Sequence, residues 1–214
     1  RLVLAEANYE RIVAAAARLA RDQIAHVILI GPPEVARATA RKADVNLGSV
    51  ELIDSGCDES LARTRAALVA ARGDRLGGAD LEKYAADPVF QAAARVRDGL
   101  ADCYVAGASR TTADVLRAAL WLIGLRAGVK SVSSFFLMVL PGEGGRERLM
   151  TFADCAVLPD PTPEQLAEIA TLSAEHHQRL TQEVPHVAML SFSTRGSAEH
   201  PHVVKVREAT ALAR

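Results

Sequence analysis

The sequence predicts an α/β fold with two α/β domains and mostly parallel sheets, and three observations carry that prediction. Short β-branched runs alternate with longer stretches of helical period, the pattern of strand–crossover–strand units. Glycine and proline punctuate the changeovers, as at Gly31-Pro32-Pro33 and Asp87-Pro88. After Gly128 the texture changes to two neighbouring strand-like runs around a glycine-rich turn, which marks a second domain.

Residues 1–5 read as a strand and 9–21 as a helix, because Ile12, Val13, Ala16, Leu19 and Ala20 fall on one helical face. A buried strand at 26–30 stops at Gly31-Pro32-Pro33, a helix follows at 34–42, and 50–53 is a third short strand. Helices are expected at 60–72 and 79–86, and Asp87-Pro88 opens another that runs to 97. Residues 102–106 return to strand, 107–112 form a loop, and 113–125 form a helix with Leu116, Leu120 and Ile123 among its apolar positions.

Residues 131–140 and 148–157 then read as adjacent strands joined at 141–145. The boundary between domains falls near 127–130, giving a first domain at 1–129 and a second at 130–214. Thr162-Pro163-Glu164-Gln165 is a helix start, with Thr162 as N-cap, proline in the first helical position and Gln165 as capping-box partner. That helix is expected to reach about residue 180, followed by a buried strand at 187–192, a small-residue loop at 193–200 and a helix at 203–213. The first residue already belongs to a strand and the last lies inside a helix, so the expectation is a fragment, cut at both ends.

Composition narrows the function classes. Half of the 214 residues are apolar, enough to bury a substantial core. Acidic and basic residues nearly cancel, 26 against 25, so no general field recruits nucleic acid or an anionic membrane. Aromatics are only 4%, too few for the stacking platforms of single-strand binders. The longest apolar run, 133–140, falls well short of the ~20 residues of a membrane span. No secretory signal is visible at the N-terminus, which makes the cytoplasm the expected compartment. Cys57, Cys103 and Cys155 are odd in number and show no C-x-x-C spacing, so they are read as reduced thiols.

The run GASRTTADVLR at 107–117 is the most informative local feature. Its loop lies at the carboxyl end of a strand and feeds a helix N-terminus, where free N–H groups favour an anion. Arg117 stands about one turn into the helix and leans back toward that end, so its guanidinium reaches the same place with paired donors. Phosphate fits this arrangement. The alternative is that Thr111 and Thr112 only cap the helix, with Asp114 as capping-box partner and Arg117 in solvent.

A second loop, SFSTRGS at 191–197, combines hydroxyls, a cation and a glycine after a strand, suiting the backbone or phosphates of a large ligand or else a plain turn and N-cap. No dinucleotide fingerprint, Walker A loop or nucleophile elbow is present. His200 and His202 flank Pro201 without an evident third ligand, so no metal site is expected. Cys155, beside Asp154, reads as an inert buried cysteine in a strand, and Asp154 as a residue that orients neighbouring loops.

Four ordered blocks carry a resemblance. The runs at 107–117, GVKSVSSFFLM at 128–138, FADCAV at 152–157 and VAMLSFSTRGS at 187–197 resemble segments of the phosphate acetyltransferase (phosphotransacetylase) family in the same order. The likeness covers essentially the whole chain, more loosely over the first hundred residues, and 79–83 with 116–125 is closest to the ethanolamine-utilisation branch. It implies two α/β domains of the isocitrate/isopropylmalate dehydrogenase kind with a cleft between them, with the C-terminal part missing, and a homodimer serving acetate metabolism. The implied reaction is reversible acetyl transfer between acetyl-CoA and phosphate, giving acetyl phosphate and CoA, with no tightly bound cofactor.

By the same resemblance Thr111, Thr112 and Arg117 match the phosphate-contacting stretch, and Ser193 and Arg195 match a second substrate loop. Arg72 corresponds to a further phosphate-side arginine, with Arg75 as a competitor. The family's base aspartate and serine–arginine pair fall beyond Arg214. Against the transferase reading stands a non-catalytic acyl-CoA-sensing or oligomerisation module of the same fold, and by fold analogy alone a dehydrogenase of the isocitrate type.

Overall fold

The computed structural model describes residues 1–193 and 197–214. Their contacts divide the chain into two units, Arg1–Gly124 and Leu125–Arg214. The first unit is an α/β layer structure. Its elements are β1 (Leu2–Leu4), α1 (Glu10–Arg21), β2 (Val27–Ile30), α2 (Pro33–Lys42), β3 (Glu51–Ile53), α3 (Asp58–Arg72), α4 (Gly78–Ala85), α5 (Pro88–Arg97), β4 (Cys103–Val105) and α6 (Thr112–Leu122). The four strands form one parallel sheet in the order β3-β2-β1-β4, with Val3 level with Ile28 on one side and Tyr104 on the other.

All four residues of β2 are buried, as a parallel strand covered on both faces requires. Leu4, Val27 and Leu29 pack with Val13, Ala16, Ala36 and Ala40 of α1 and α2 on one face. Val3, Ile28 and Ile30 pack with Ala92 of α5 on the other. A third cluster gathers Leu68, Val89, Phe90, Ala118 and Leu122, with Tyr84 and Trp121 against it. The sheet ends and its turns approach closely: a Cβ on Gly31 would lie 2.6 Å from Ala7 Cβ, which explains glycine at the end of β2.

Helix α6 buries a different stripe from the one expected. Ala118 and Leu122 face the core, whereas Leu120 and Ile123 are exposed and Leu116 is half-buried. Ala118 is small enough to sit against α5, so the contact line runs through it. The larger side chains are left on the flank. The helix also ends three residues earlier than 125, where Gly124 takes a positive φ of 80°.

In the second unit, β5 (Phe135–Pro141) and β6 (Glu147–Ala153) form an antiparallel hairpin around a 3-10 turn at Glu143–Gly145, with Met138 opposite Met150. Two helices follow, α7 (Pro163–Thr181) and α8 (Pro201–Leu212), and α7 packs on β6 and on α8. The start of α7 is the expected capping box: Gln165 N–H donates to Thr162 Oγ1 at 3.3 Å, and Thr162 N–H donates to Gln165 Oε1 at 2.9 Å.

Three expectations for this unit are corrected. Residues 187–192 form no strand, and Val187 and Leu190 are 55% and 79% exposed. An apolar run becomes a strand only when a neighbouring edge accepts its ladder hydrogen bonds, and among the described residues none does. β5 begins at Phe135, not 131, because Ser134 turns to bond Asp154. β6 ends at Ala153, so Cys155 is a half-buried residue beyond the strand. Among the described residues, no helix is long and apolar enough to cross a membrane.

Candidate functional site

The turn from β4 into α6 gathers the predicted anion-side residues. Gly107 leaves the strand at φ 107°, a backbone region where glycine is favoured, and the chain reaches Thr111 in extended conformation as the N-cap of α6. Asp114 N–H donates to Thr111 Oγ1 at 3.2 Å, and that hydroxyl donates to Asp114 Oδ2 at 2.8 Å. Arg117 Nη1 donates to the other carboxylate oxygen, Oδ1, at 2.8 Å. Asp114 is held below the usual carboxylate range by the Thr111 hydroxyl first and the Arg117 guanidinium second. Thr112, at the first helical position, is exposed.

The structure thus brings Thr111 and Arg117 together, as the anion reading required, and also forms the capping arrangement that was its alternative. Asp114 satisfies both. A guanidinium carries five donors, so the single Nη1 bond to Asp114 leaves others for a second anion. The loop is fixed from outside as well: Arg110 pairs with Asp87 at 3.1 Å, and Asp87 in turn caps α5 by accepting from Val89 N–H at 2.9 Å.

Arg72 lies elsewhere on the same unit, at the end of α3, with its guanidinium carbon 4.6 Å from the ring centroid of Trp121. Trp121 follows Arg117 by four residues on α6, so the two share a helix face. Tyr84 and Phe90 flank the indole at 5.1 and 5.7 Å between centroids. Among the described residues, no acceptor meets the buried Arg72 Nε. Arg75, its competitor, is exposed in the 3-10 turn Gly73–Arg75.

The loop amides proved to have an occupant the sequence reading missed. Glu6, just past β1, is buried and accepts from the N–H groups of Gly107, Ala108 and Ser109 and from the Ser109 hydroxyl. Its partners are about a hundred residues away in the chain, so no local spacing signals the contact. A glutamate closing a buried strand was the only available hint.

In the second unit, Ser193 N–H donates to Ser191 Oγ at 3.2 Å, while Ser193 Oγ lies 3.3 Å from Ser197 Oγ and accepts from Ala198 N–H at 3.0 Å. The Ser193 hydroxyl therefore belongs to a local turn. Arg195 lies outside the described residues. Asp154 holds its neighbourhood together: it accepts from the Ser134 hydroxyl and amide and from the amides of Ala156, Val157 and Leu158. Burial alone would raise its pKa. These donors outweigh that and hold it at about 2. His200 caps α8 by accepting from His202 N–H, and among the described residues no three His, Cys, Asp or Glu side chains converge as a metal site.

Comparison with known proteins gives the family. A family model described as phosphate acetyl/butaryl transferase matches residues 1–214. The chain is 42% identical over 214 residues to a phosphate acetyltransferase of Paracoccus denitrificans, covering 100% of this chain and 64% of the relative. It is 37% identical over 216 residues to a phosphate acetyltransferase of Clostridium acetobutylicum, covering 99% and 64%. Among solved structures, a phosphotransacetylase from Streptococcus pyogenes overlays with a TM-score of 0.88 at 35% identity, and the EutD phosphotransacetylase from Staphylococcus aureus with 0.85 at 31%. The overlays cover 99% of this chain and 64% and 63% of those chains, respectively. The chain therefore spans about 64% of the length of the curated relatives it matches. Matched along its whole length and overlaid on two solved phosphotransacetylases, this chain belongs to the phosphate acetyl/butaryl transferase family.

Proposed function

We propose that the complete polypeptide is a phosphate acetyltransferase, carrying out reversible acetyl transfer between acetyl-CoA and phosphate to give acetyl phosphate and CoA. The observation that carries this reading is the Thr111–Asp114–Arg117 group at the start of α6 in a chain matched by the family from end to end. In the direction of acetyl-CoA synthesis, the CoA thiolate attacks the acetyl phosphate carbonyl. The carbonyl oxygen takes up charge, and phosphate leaves with the bonding pair. Such direct transfer needs an aligned thiolate, donors for the oxyanion and cations on the leaving phosphate.

Arg117 and the hydroxyls of Thr111 and Thr112 supply the last of these, with Arg72 as a second cation. The phosphate takes over donors that Asp114 now holds, or uses the remaining edge of the Arg117 fork. Ser193 and Arg195 belong to the substrate side as well, and the thiol base is assigned to no residue of this chain. The same reading takes acetyl-CoA, phosphate and acetyl phosphate as partners, with no tightly bound cofactor. It describes a cytoplasmic homodimer in acetate metabolism, built from domains 1–129 and 130–214 of the isocitrate/isopropylmalate dehydrogenase kind.

The test is phosphate-dependent release of CoA from acetyl-CoA by the complete gene product. Release well above a no-enzyme control is expected, and Arg117→Ala should weaken use of phosphate or acetyl phosphate by about 2–4 kcal/mol in kcat/KM. No release from folded protein would remove the transferase reading. If calorimetry then showed acetyl-CoA binding without turnover, the acyl-CoA-sensing module would replace it.

A further inference from the structure

The parallel sheet of the first unit reverses direction at β1: the chain steps outward from β1 through β2 to β3, then returns to lay β4 on the other side of β1. Open α/β sheets receive ligands outside the carboxyl ends of the strands at such a reversal. In this chain that position is filled from within. Glu6, two residues beyond β1, is 5% exposed and takes a φ of 68°, a left-handed region that a non-glycine residue adopts at a cost. Its Oε2 accepts from Gly107 N–H at 2.9 Å and Ala108 N–H at 3.0 Å. Its Oε1 accepts from Ser109 N–H and Ser109 Oγ–H, both at 2.7 Å.

Four donors converge on one carboxylate, and among the described residues no Lys, Arg or His pairs with it. Three successive amides aimed at an anion form a nest of the kind that binds phosphate. Here the nest is already saturated. Burial would push the Glu6 carboxyl up, but the Ser109, Ala108 and Gly107 hydrogen bonds outweigh it and hold the group below the ordinary range. An ionised carboxylate is the form these donors select.

We propose that Glu6 is a positioning residue for the phosphate side of acetyl transfer. By filling the amide nest between β1 and β4 it keeps the substrate anion off the loop backbone, and it sets the 107–112 loop so that Thr111, Thr112 and Arg117 receive that anion through side chains. The inference rests on the transferase reading above for its substrate, but not for the nest itself.

The test uses the complete polypeptide with Glu6→Gln and Glu6→Ala, measuring KM for acetyl phosphate, KM for CoA, kcat and melting temperature, each with and without sodium formate. Glutamine keeps the shape but offers one acceptor oxygen, so Glu6→Gln should raise the acetyl phosphate KM on the order of tenfold while the CoA KM and kcat change less than about threefold. Glu6→Ala should lose more, and formate, a carboxylate small enough for the vacated space, should lower its acetyl phosphate KM and raise its melting temperature without doing either to the wild type.

An unchanged acetyl phosphate KM in Glu6→Gln would overturn the proposal. So would a loss of kcat alone, which reports only less folded enzyme, or indifference of Glu6→Ala to formate. If the wild type itself transfers no acetyl group, the transferase reading and the positioning role fall together. The formate-dependent melting shift of Glu6→Ala would then still show whether the nest holds a carboxylate.

Discussion

Phe90 in the first unit is 2% exposed and packs against Tyr84 and Trp121, whereas Phe136 on β5 of the second unit is 57% exposed. The contrast extends beyond one pair. The parallel sheet is covered on both faces by helices from its own unit, and its core closes on residues of 1–124. The antiparallel hairpin leaves Met138, Val139 and Phe152 open, and beside it the carboxylate of Asp154 gathers five donors. Three buried apolar clusters hold the first unit, whereas in the second the described buried apolar residues are Ala167, Ile169, Ala170, Val203 and Ala209 on α7 and α8, and the hairpin end is tied by Asp154.

Core truncation sharpens that comparison most. Phe90→Ala removes a fully buried ring and should cost about 3–5 kcal/mol, read from urea unfolding of the first unit. A loss near zero would mean the aromatic cluster is not its core. Acid comes next. Asp154 titrates at about 2 in the folded chain against 3.8 ordinarily, so its contribution is fully present above 3.8 and is lost as pH falls toward 2. The shift sets a ceiling of about 2 kcal/mol. NMR of the Ser134 and Leu158 amides should show these bonds weakening in that window, and Asp154→Asn should remove the dependence. Glu6 is depressed in the same direction, so acid loosens its loop also, below its ordinary value of 4.5.

Smaller effects test the polar side further. Thr162→Ala breaks the capping box and should destabilise α7 by about 1 kcal/mol, seen as lost helical circular dichroism on heating. Phe136→Ser, on the open face of β5, should change unfolding by no more than about 0.5 kcal/mol. A cost comparable to that of Phe90→Ala would abolish the distinction between the units.

What the sequence disclosed follows the range of the forces involved. Capping chemistry is local, so Thr162 with Gln165 and Thr111 with Asp114 were both readable from spacing of three. Helical period located α1, whose Val13 and Ala16 are buried on the expected face, and the proline break at Pro32-Pro33 located the start of α2. Glu6 with Gly107, and Arg72 with Trp121, depend on tertiary closure over many residues and left no periodic trace. The run 187–192 failed for a related reason: its apolar character suggests burial as a strand, but a strand is a property of two edges. In α6 the expected stripe gave size too much weight, and the small Ala118 took the core position instead.

Trp121 is the only tryptophan in these 214 residues, and it lies beneath a guanidinium. Indole emission responds to a charge at this range, so the chain carries a built-in optical reporter on Arg72. An anion that draws the arginine off the ring would shift the fluorescence maximum, and titration with inorganic phosphate would then trace occupancy without any turnover.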